Sequence, residues 1–216
     1  FFNPSIAGIA PILDSGSQSV LPSLEINRDG FNGQYPLSFA QQRLWLVEQI
    51  QGNSSMYHIP LLLELNGSIN TQALSQALEQ CVLRHEALRI QIAIDNNGNP
   101  YQFVNDQQAM HLHIQHSDNL QQTVMALLSE PKPLSQAPLF AATLVQHSGG
   151  QQNVLVLWQH HLISDGISSQ ILLADLAAAY QHICQQQPAF KDSLAVQYID
   201  YSIWQRSEAF NNVLQQ

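Results

Sequence analysis

Lysine is almost missing from this chain of 216 residues: only Lys132 and Lys191 are present. The basic total is seven against sixteen acidic residues, for a formal net charge of −9. Neutralising a phosphate backbone needs a basic stripe, and none is present. That argues against nucleic acid, and equally against an anionic membrane surface, as a partner. Cysteine is scarce too. Cys81 and Cys184 each sit in an apolar, helix-like run. Two thiols do not make a disulfide framework, and a reducing cytoplasm fits. No apolar run is long enough to span a bilayer. The N-terminus lacks the basic region and apolar core of a signal peptide. There is no internal repeat, no P-loop and no G-x-S-x-G nucleophile elbow. Glutamine stands where other chains place charge, as in Gln185-Gln186-Gln187, and no function is read into that habit.

What is present is apolar content: 45% of residues are hydrophobic, enough for one good core or one domain plus an appendage. Residues 1–13 are apolar, and Asn3-Pro4-Ser5 reads as a helix entry. A stretch rich in Gly, Ser, Pro and Asp follows, with linker composition. The organised part begins near Tyr35. Ser38 can cap a helix whose rough apolar face is Phe39, Leu44, Leu46 and Ile50. YHIPLLLELNG reads as a strand. Asn70 or Thr71 starts a helix with Ala73, Leu74, Ala77, Leu78, Cys81 and Val82 on one side. LRIQIAI and YQFV flank the turn DNNGNP as paired strands. LHIQ is a short strand, and residues 119–129 are helical, stopping before Pro131. PLFAATLVQH and NVLVLWQHH form a hairpin. Helices follow at 167–186 and about 195–213. The order predicts an α+β fold, with a mixed sheet flanked by helices.

The chemistry concentrates in HHLISDG, residues 160–166, at the end of an apolar strand. Neighbouring strand side chains point to opposite faces. His160 and His161 therefore cannot share one role. At most one imidazole can face a cleft, with the other held in the packed layer. That geometry weakens a metal reading, since a chelating pair prefers one face. Asp165, at a strand-to-helix junction, can accept backbone N–H bonds or pair with an arginine. Gly166 frees the backbone for a tight turn. Two readings stay open. In one, His161 is a near-neutral proton-transfer group presented by an architectural loop. In the other, the set is a core histidine and an N-capping aspartate. Ser164 does not complete a Ser–His–Asp triad, because the three groups rarely fit within five consecutive residues.

These residues carry a family resemblance. HHLISDG resembles the HHxxxDG motif of nonribosomal peptide synthetase condensation domains. LSFAQQRLWLVEQ resembles their first motif, SxAQxRLWxL. RHEALRI resembles the second, RHExLR, with Ile90 where Thr is usual. YIDYSIWQR, residues 198–206, resembles the fourth, YxDYAxWQ. The motifs occur in order from about residue 35 to 216. FFNPSIAGIA resembles the last helix of a peptidyl carrier domain. The resemblance thus divides the chain into a carrier end (1–14), a linker (15–34) and the N-terminal lobe of a condensation domain (35–216), with the C-terminal lobe missing.

The resemblance implies a chloramphenicol-acetyltransferase-like lobe, the first half of a two-lobed pseudo-dimer. It implies amide-bond formation between a carrier-bound acyl or peptidyl thioester and the α-amine of a carrier-bound amino acid. His161 would be the catalytic group, as a base or as a positioning and charge-stabilising group. Asp165 would be structural, paired with Arg84, or with Arg89 in its place. His160 would pack inside the lobe, and Gly166 would offer a backbone N–H to the oxyanion. No metal or directly bound cofactor is implied. The 4'-phosphopantetheine arms come from upstream and downstream carrier domains, with an adenylation domain in the same module and a cytoplasmic location. The lone lobe would have little activity of its own. His160 argues against a cyclisation subtype, which carries aspartate there. Ser169 argues against an epimerisation subtype, which carries tryptophan there. An additional HHxxxxGD, as in dual epimerisation/condensation domains, is absent. Two alternatives are a stand-alone acyltransferase of the same superfamily and a non-catalytic lobe that docks carrier domains.

Overall fold

The computed structural model describes residues 24, 27–51, 55–107, 110–130, 134, 138–149 and 152–214. The carrier-like segment 1–14 lies outside them. Strand β1 (Tyr35–Pro36) precedes helix α1 (Phe39–Gln51), where the Ser38 hydroxyl accepts the Gln41 N–H. Strand β2 (His58–Asn66) leads to helix α2 (Thr71–Arg84), capped by Asn70 accepting the Ala73 N–H. The six positions read from the sequence as its apolar side, from Ala73 to Val82, are all buried.

Strands β3 (Ile90–Ile94) and β4 (Pro100–Val104) form the expected hairpin. Strand β5 (Leu112–Ser117), helix α3 (Leu120–Ser129), strand β6 (Phe140–His147), strand β7 (Gln152–His160) and helix α4 (Gly166–Cys184) follow. The last predicted helix is two helices, α5 (Tyr198–Gln205) and α6 (Glu208–Leu214). The break falls at Arg206 and Ser207. Arg206 turns aside to the Leu37 carbonyl, and the Ser207 hydroxyl accepts the Phe210 N–H to start α6.

The strands form two sheets. One is antiparallel, in the order β1-β4-β3. The other, β2-β7-β6-β5, is mixed, because β5 runs parallel to β6. Pro60 is tolerated in β2 because that strand lies at the sheet edge. Alternation on β7 splits its side chains between two layers. Leu155 and Leu157 join Leu74, Leu78, Leu172 and Leu176 in the main core under α2 and α4. Val154 and Val156 face α3 with Val124 and Val145. Strand β7 is thus central and covered on both faces, which explains its continuous apolar run. It carries the histidine pair to one end of the sheet.

The apolar face expected for α1 is not the one the fold buries. Leu46 and Ile50 are exposed, Ile50 by 83%, and Phe39 lies at the surface under the Arg206 guanidinium. The buried positions are Gln41 and Glu48, with Trp45 partly covered between them. A spacing of 41, 45 and 48 is one helical stripe, and its ends are polar. Their reason lies at the site.

Candidate functional site

His160 is the last residue of β7 and is 1% exposed, while His161 begins the following turn and is exposed. The backbone around them is held at successive points. The His160 N–H donates to the Leu139 carbonyl and the His161 N–H to the Tyr57 carbonyl, at 2.9 and 2.7 Å. The Ile163 N–H then closes back on the His160 carbonyl. The Leu162 N–H donates to Nδ1 of His160 at 3.0 Å. An Nδ1 that accepts places the ring proton on Nε2, in the neutral form. Nε2 faces the Glu48 Oε1 at 3.7 Å, an ion–dipole approach longer than a hydrogen bond. Burial drives the His160 pKa down to about 4, helped by the nearby His58 and His161. Of the pair, His160 is buried and His161 is the one exposed to solvent.

Asp165 caps helix α4. Its Oδ1 accepts both the backbone N–H and the hydroxyl of Ser168, each at 2.7 Å. Those two bonds hold its carboxyl below the usual carboxylate range. The expected pair with Arg84 does not form. The Arg84 guanidinium pairs with Asp175 at 3.1 Å, donates to the Asp192 carbonyl and stacks on Phe190. His85 shares the same Asp175 oxygen at 2.7 Å. Arg89 is no substitute either: it is buried against the Val82 carbonyl and pairs with Asp106. The physical reason is that Asp165 is exposed and already satisfied by its own helix, whereas both arginines find closer acceptors near α2. The backbone at Gly166 has no left-handed geometry, and a Cβ there would meet nothing within 4 Å. The turn therefore does not require glycine inside this lobe. The Ser164 hydroxyl turns to Ser169 and to the Asp165 carbonyl.

Several residues assigned no role from sequence link the motifs. Gln41 donates to the Gln102 side chain at 3.0 Å and to the Leu162 carbonyl at 3.3 Å. Gln102 in turn donates to the Pro36 carbonyl and to Ser202. The Ser38 and Tyr198 hydroxyls meet at 2.8 Å. Arg28, in the stretch read as linker, donates to Glu86 through both terminal nitrogens and to Asp200 through Nε. Among the other polar residues of the helix, Gln42, Arg43, Gln49 and Gln51, nothing in the sequence set Gln41 and Glu48 apart. These links depend on contacts across the chain.

Beside the turn lies a cavity of about 260 Å³, lined among others by Gln159, Ile163, Ser164, Leu172, Val196 and Tyr198. Its walls are mainly apolar, with amide and hydroxyl groups at the strand end. Among the described residues no group of three His, Cys, Asp or Glu side chains could hold a metal ion. No described helix is long and apolar enough to cross a membrane.

The family model described as "Condensation domain" matches residues 31–216. A dimodular nonribosomal peptide synthase of Bacillus subtilis (strain 168) is 36% identical over 214 residues, 95% of this chain and 9% of that protein. Malpinin synthetase of Mortierella alpina is 33% identical over 217 residues, 95% of this chain and 3% of that protein. Among solved structures, the X-domain from teicoplanin biosynthesis superposes with a TM-score of 0.76 at 26% identity, covering 90% of this chain and 42% of that one. The starter condensation domain of rhizomide synthetase gives 0.65 at 25% identity, covering 74% and 40%. The chain thus spans less than a tenth of the length of these two relatives and about two fifths of the solved chains. Its fold is the mixed α+β lobe of those structures, and the matched segment includes the histidine turn and the network around it. The chain belongs to the condensation-domain family, and its relatives include nonribosomal peptide synthases.

Proposed function

We propose that the lobe serves amide-bond formation between two carrier-bound substrates, with His161 as the catalytic group. The observation that carries this reading is an exposed imidazole on a backbone held from both sides, within an intact HHxxxDG sequence. The acceptor α-amine attacks the donor thioester carbonyl. A C–N bond forms, the ammonium proton leaves, and the tetrahedral intermediate collapses with cleavage of the C–S bond. His161 takes the nitrogen proton and passes it to the departing thiolate, or holds the amine and the developing charge in place. An uncharged amine is already a good nucleophile, so positioning and proton transfer share the rate gain. The Gly166 N–H is placed, on this reading, to donate to the oxyanion. The thioesters arrive on 4'-phosphopantetheine arms of upstream and downstream carrier domains, fed by an adenylation domain in the cytoplasm.

The test uses the complete synthetase that contains this chain, with both carriers preloaded. His161→Ala lowers single-turnover amide formation by about 10²- to 10⁴-fold. Its melting temperature stays unchanged, because the side chain is exposed. A second reading has its own support: the X-domain, a structural neighbour, has also been solved in a complex with OxyB. Amide formation at the normal rate in His161→Ala would move the assignment to such a docking lobe.

A further inference from the structure

Helix α1 turns a glutamine into the protein interior, where an unsatisfied amide is costly. Gln41 is 1% exposed, yet its hydrogens and its oxygen all have partners. Its Oε1 accepts the Ser38 N–H at 2.9 Å. That N–H can only donate, so the orientation of the amide is determined. The NH₂ group must then face the other way, onto Gln102 and the Leu162 carbonyl. Leu162 immediately follows His161. Its N–H is taken by His160 and its carbonyl by Gln41, while the His161 N–H is taken by Tyr57. Among the described residues the His161 imidazole itself makes no hydrogen bond. Its placement therefore comes from the backbone on either side.

We propose that Gln41 is a positioning residue for His161, holding the Leu162 carbonyl so that the turn presents the imidazole in one place. The inference rests on the condensation reading above. Reacting groups must be held to within a fraction of an ångström, and a 1 Å misplacement from a distant change can cost about 100-fold in rate. Glu48 lies seven residues further along the same helix, beside His160. The same helix stripe thus reaches the backbone beside His161 and the ring of His160.

The experiment compares Gln41→Met, Gln41→Glu and Ser202→Ala in the complete synthetase, with His161→Ala alongside. Methionine keeps the length without a donor, and glutamate keeps the acceptor for Ser38 without a donor. Ser202→Ala cuts the same network beyond Gln102 and leaves Gln41 on Leu162. Amide formation is measured per folded molecule, together with KM for the loaded acceptor carrier. Both Gln41 variants are expected to lose about 10- to 100-fold in kcat with little change in KM. Ser202→Ala is expected to lower the melting temperature while keeping kcat. An equal loss of kcat in all three variants would reduce Gln41 to a stabilising role and overturn the proposal. Normal kcat in the Gln41 variants with an inactive His161→Ala overturns it as well, and leaves the condensation reading standing. Normal turnover in His161→Ala removes the catalytic role of His161 and this proposal with it. Should neither Gln41 variant fold, hydrogen exchange on the wild type decides. Slow exchange of the Gln41 side-chain NH₂ supports the clamp, and exchange at the rate of an exposed side-chain amide refutes it.

Discussion

Asp165 shows how one carboxylate can have two chemically reasonable partners and take the nearer. An arginine pair would have made it a buried ion whose loss costs about 3–5 kcal/mol. As an exposed helix cap it contributes less. Asp165→Ala should cost about 0.5–2 kcal/mol in denaturant unfolding, the range for losing an N-cap. Asp165→Asn, which keeps a cap acceptor, should recover most of it. The bonds from Ser168 hold the Asp165 carboxyl low, so its contribution is complete above about pH 4, the ordinary carboxylate value. That contribution disappears as pH falls through the lower folded-state pKa. A loss in Asp165→Ala well beyond the N-cap range would restore a buried ionic partner. The buried Cys81 shows the same dependence on surroundings: burial pushes its thiol up to about 12, so the sulfur stays protonated and inert.

At the scale of elements, Arg28, ahead of β1, is tied to the lobe. The Arg28 guanidinium joins Glu86, on the short turn after α2, to Asp200 on α5. Burial pushes the Asp200 carboxyl up, but the bonds from Arg28 and the Gln197 N–H more than offset this and leave it low. The Arg28 bond to Asp200 is the main reason its own pKa is raised, with Glu86 adding to it. Arg28→Ala should destabilise the protein by about 1–3 kcal/mol, since it strands the nearly buried Asp200 carboxylate. Arg43→Ala, at an exposed position on α1, should stay within about 0.5 kcal/mol in the same denaturant titration. Equal effects for the two would show that Arg28 is an ordinary surface charge. The clamp also gives Glu86 and Asp200, which lie in two of the family motifs, a role in holding α5 and α2 together that needs no part in the chemistry.

Across the whole molecule, acid stability should turn on His160. Its folded-state pKa of about 4 lies below the ordinary 6.5 because the ring is buried. The neutral ring therefore contributes stability that is complete above pH 6.5 and falls away as pH drops toward 4. The difference corresponds to about 3 kcal/mol. The groups near the ring include Glu48, His58, Tyr57 and His161, and His58 and His161 add to the lowering. His160→Asn keeps an acceptor for the Leu162 N–H and does not titrate. Its melting temperature should fall less steeply than that of the wild type between about pH 6.5 and 4. Parallel curves would show that other groups govern acid unfolding.

Much of this protein was legible in the residues themselves. The cap at Ser38, the helix start at Asn70 or Thr71, the apolar stripe of α2 and the β6–β7 pairing follow from local periodicity and turn chemistry, which act over a few residues. The ordered motifs identified the family, and the alternation of β7 already separated the roles of the two histidines. The tertiary structure alone decided which arginine meets which carboxylate, which face of α1 turns inward, and that β3 and β4 leave the main sheet. The physical reason is distance along the chain. Arg28 and Asp200 are 172 residues apart, and Gln41 and Leu162 are 121 apart. No local propensity encodes such pairs; they exist only once the core has brought α1, α5 and the end of β7 together.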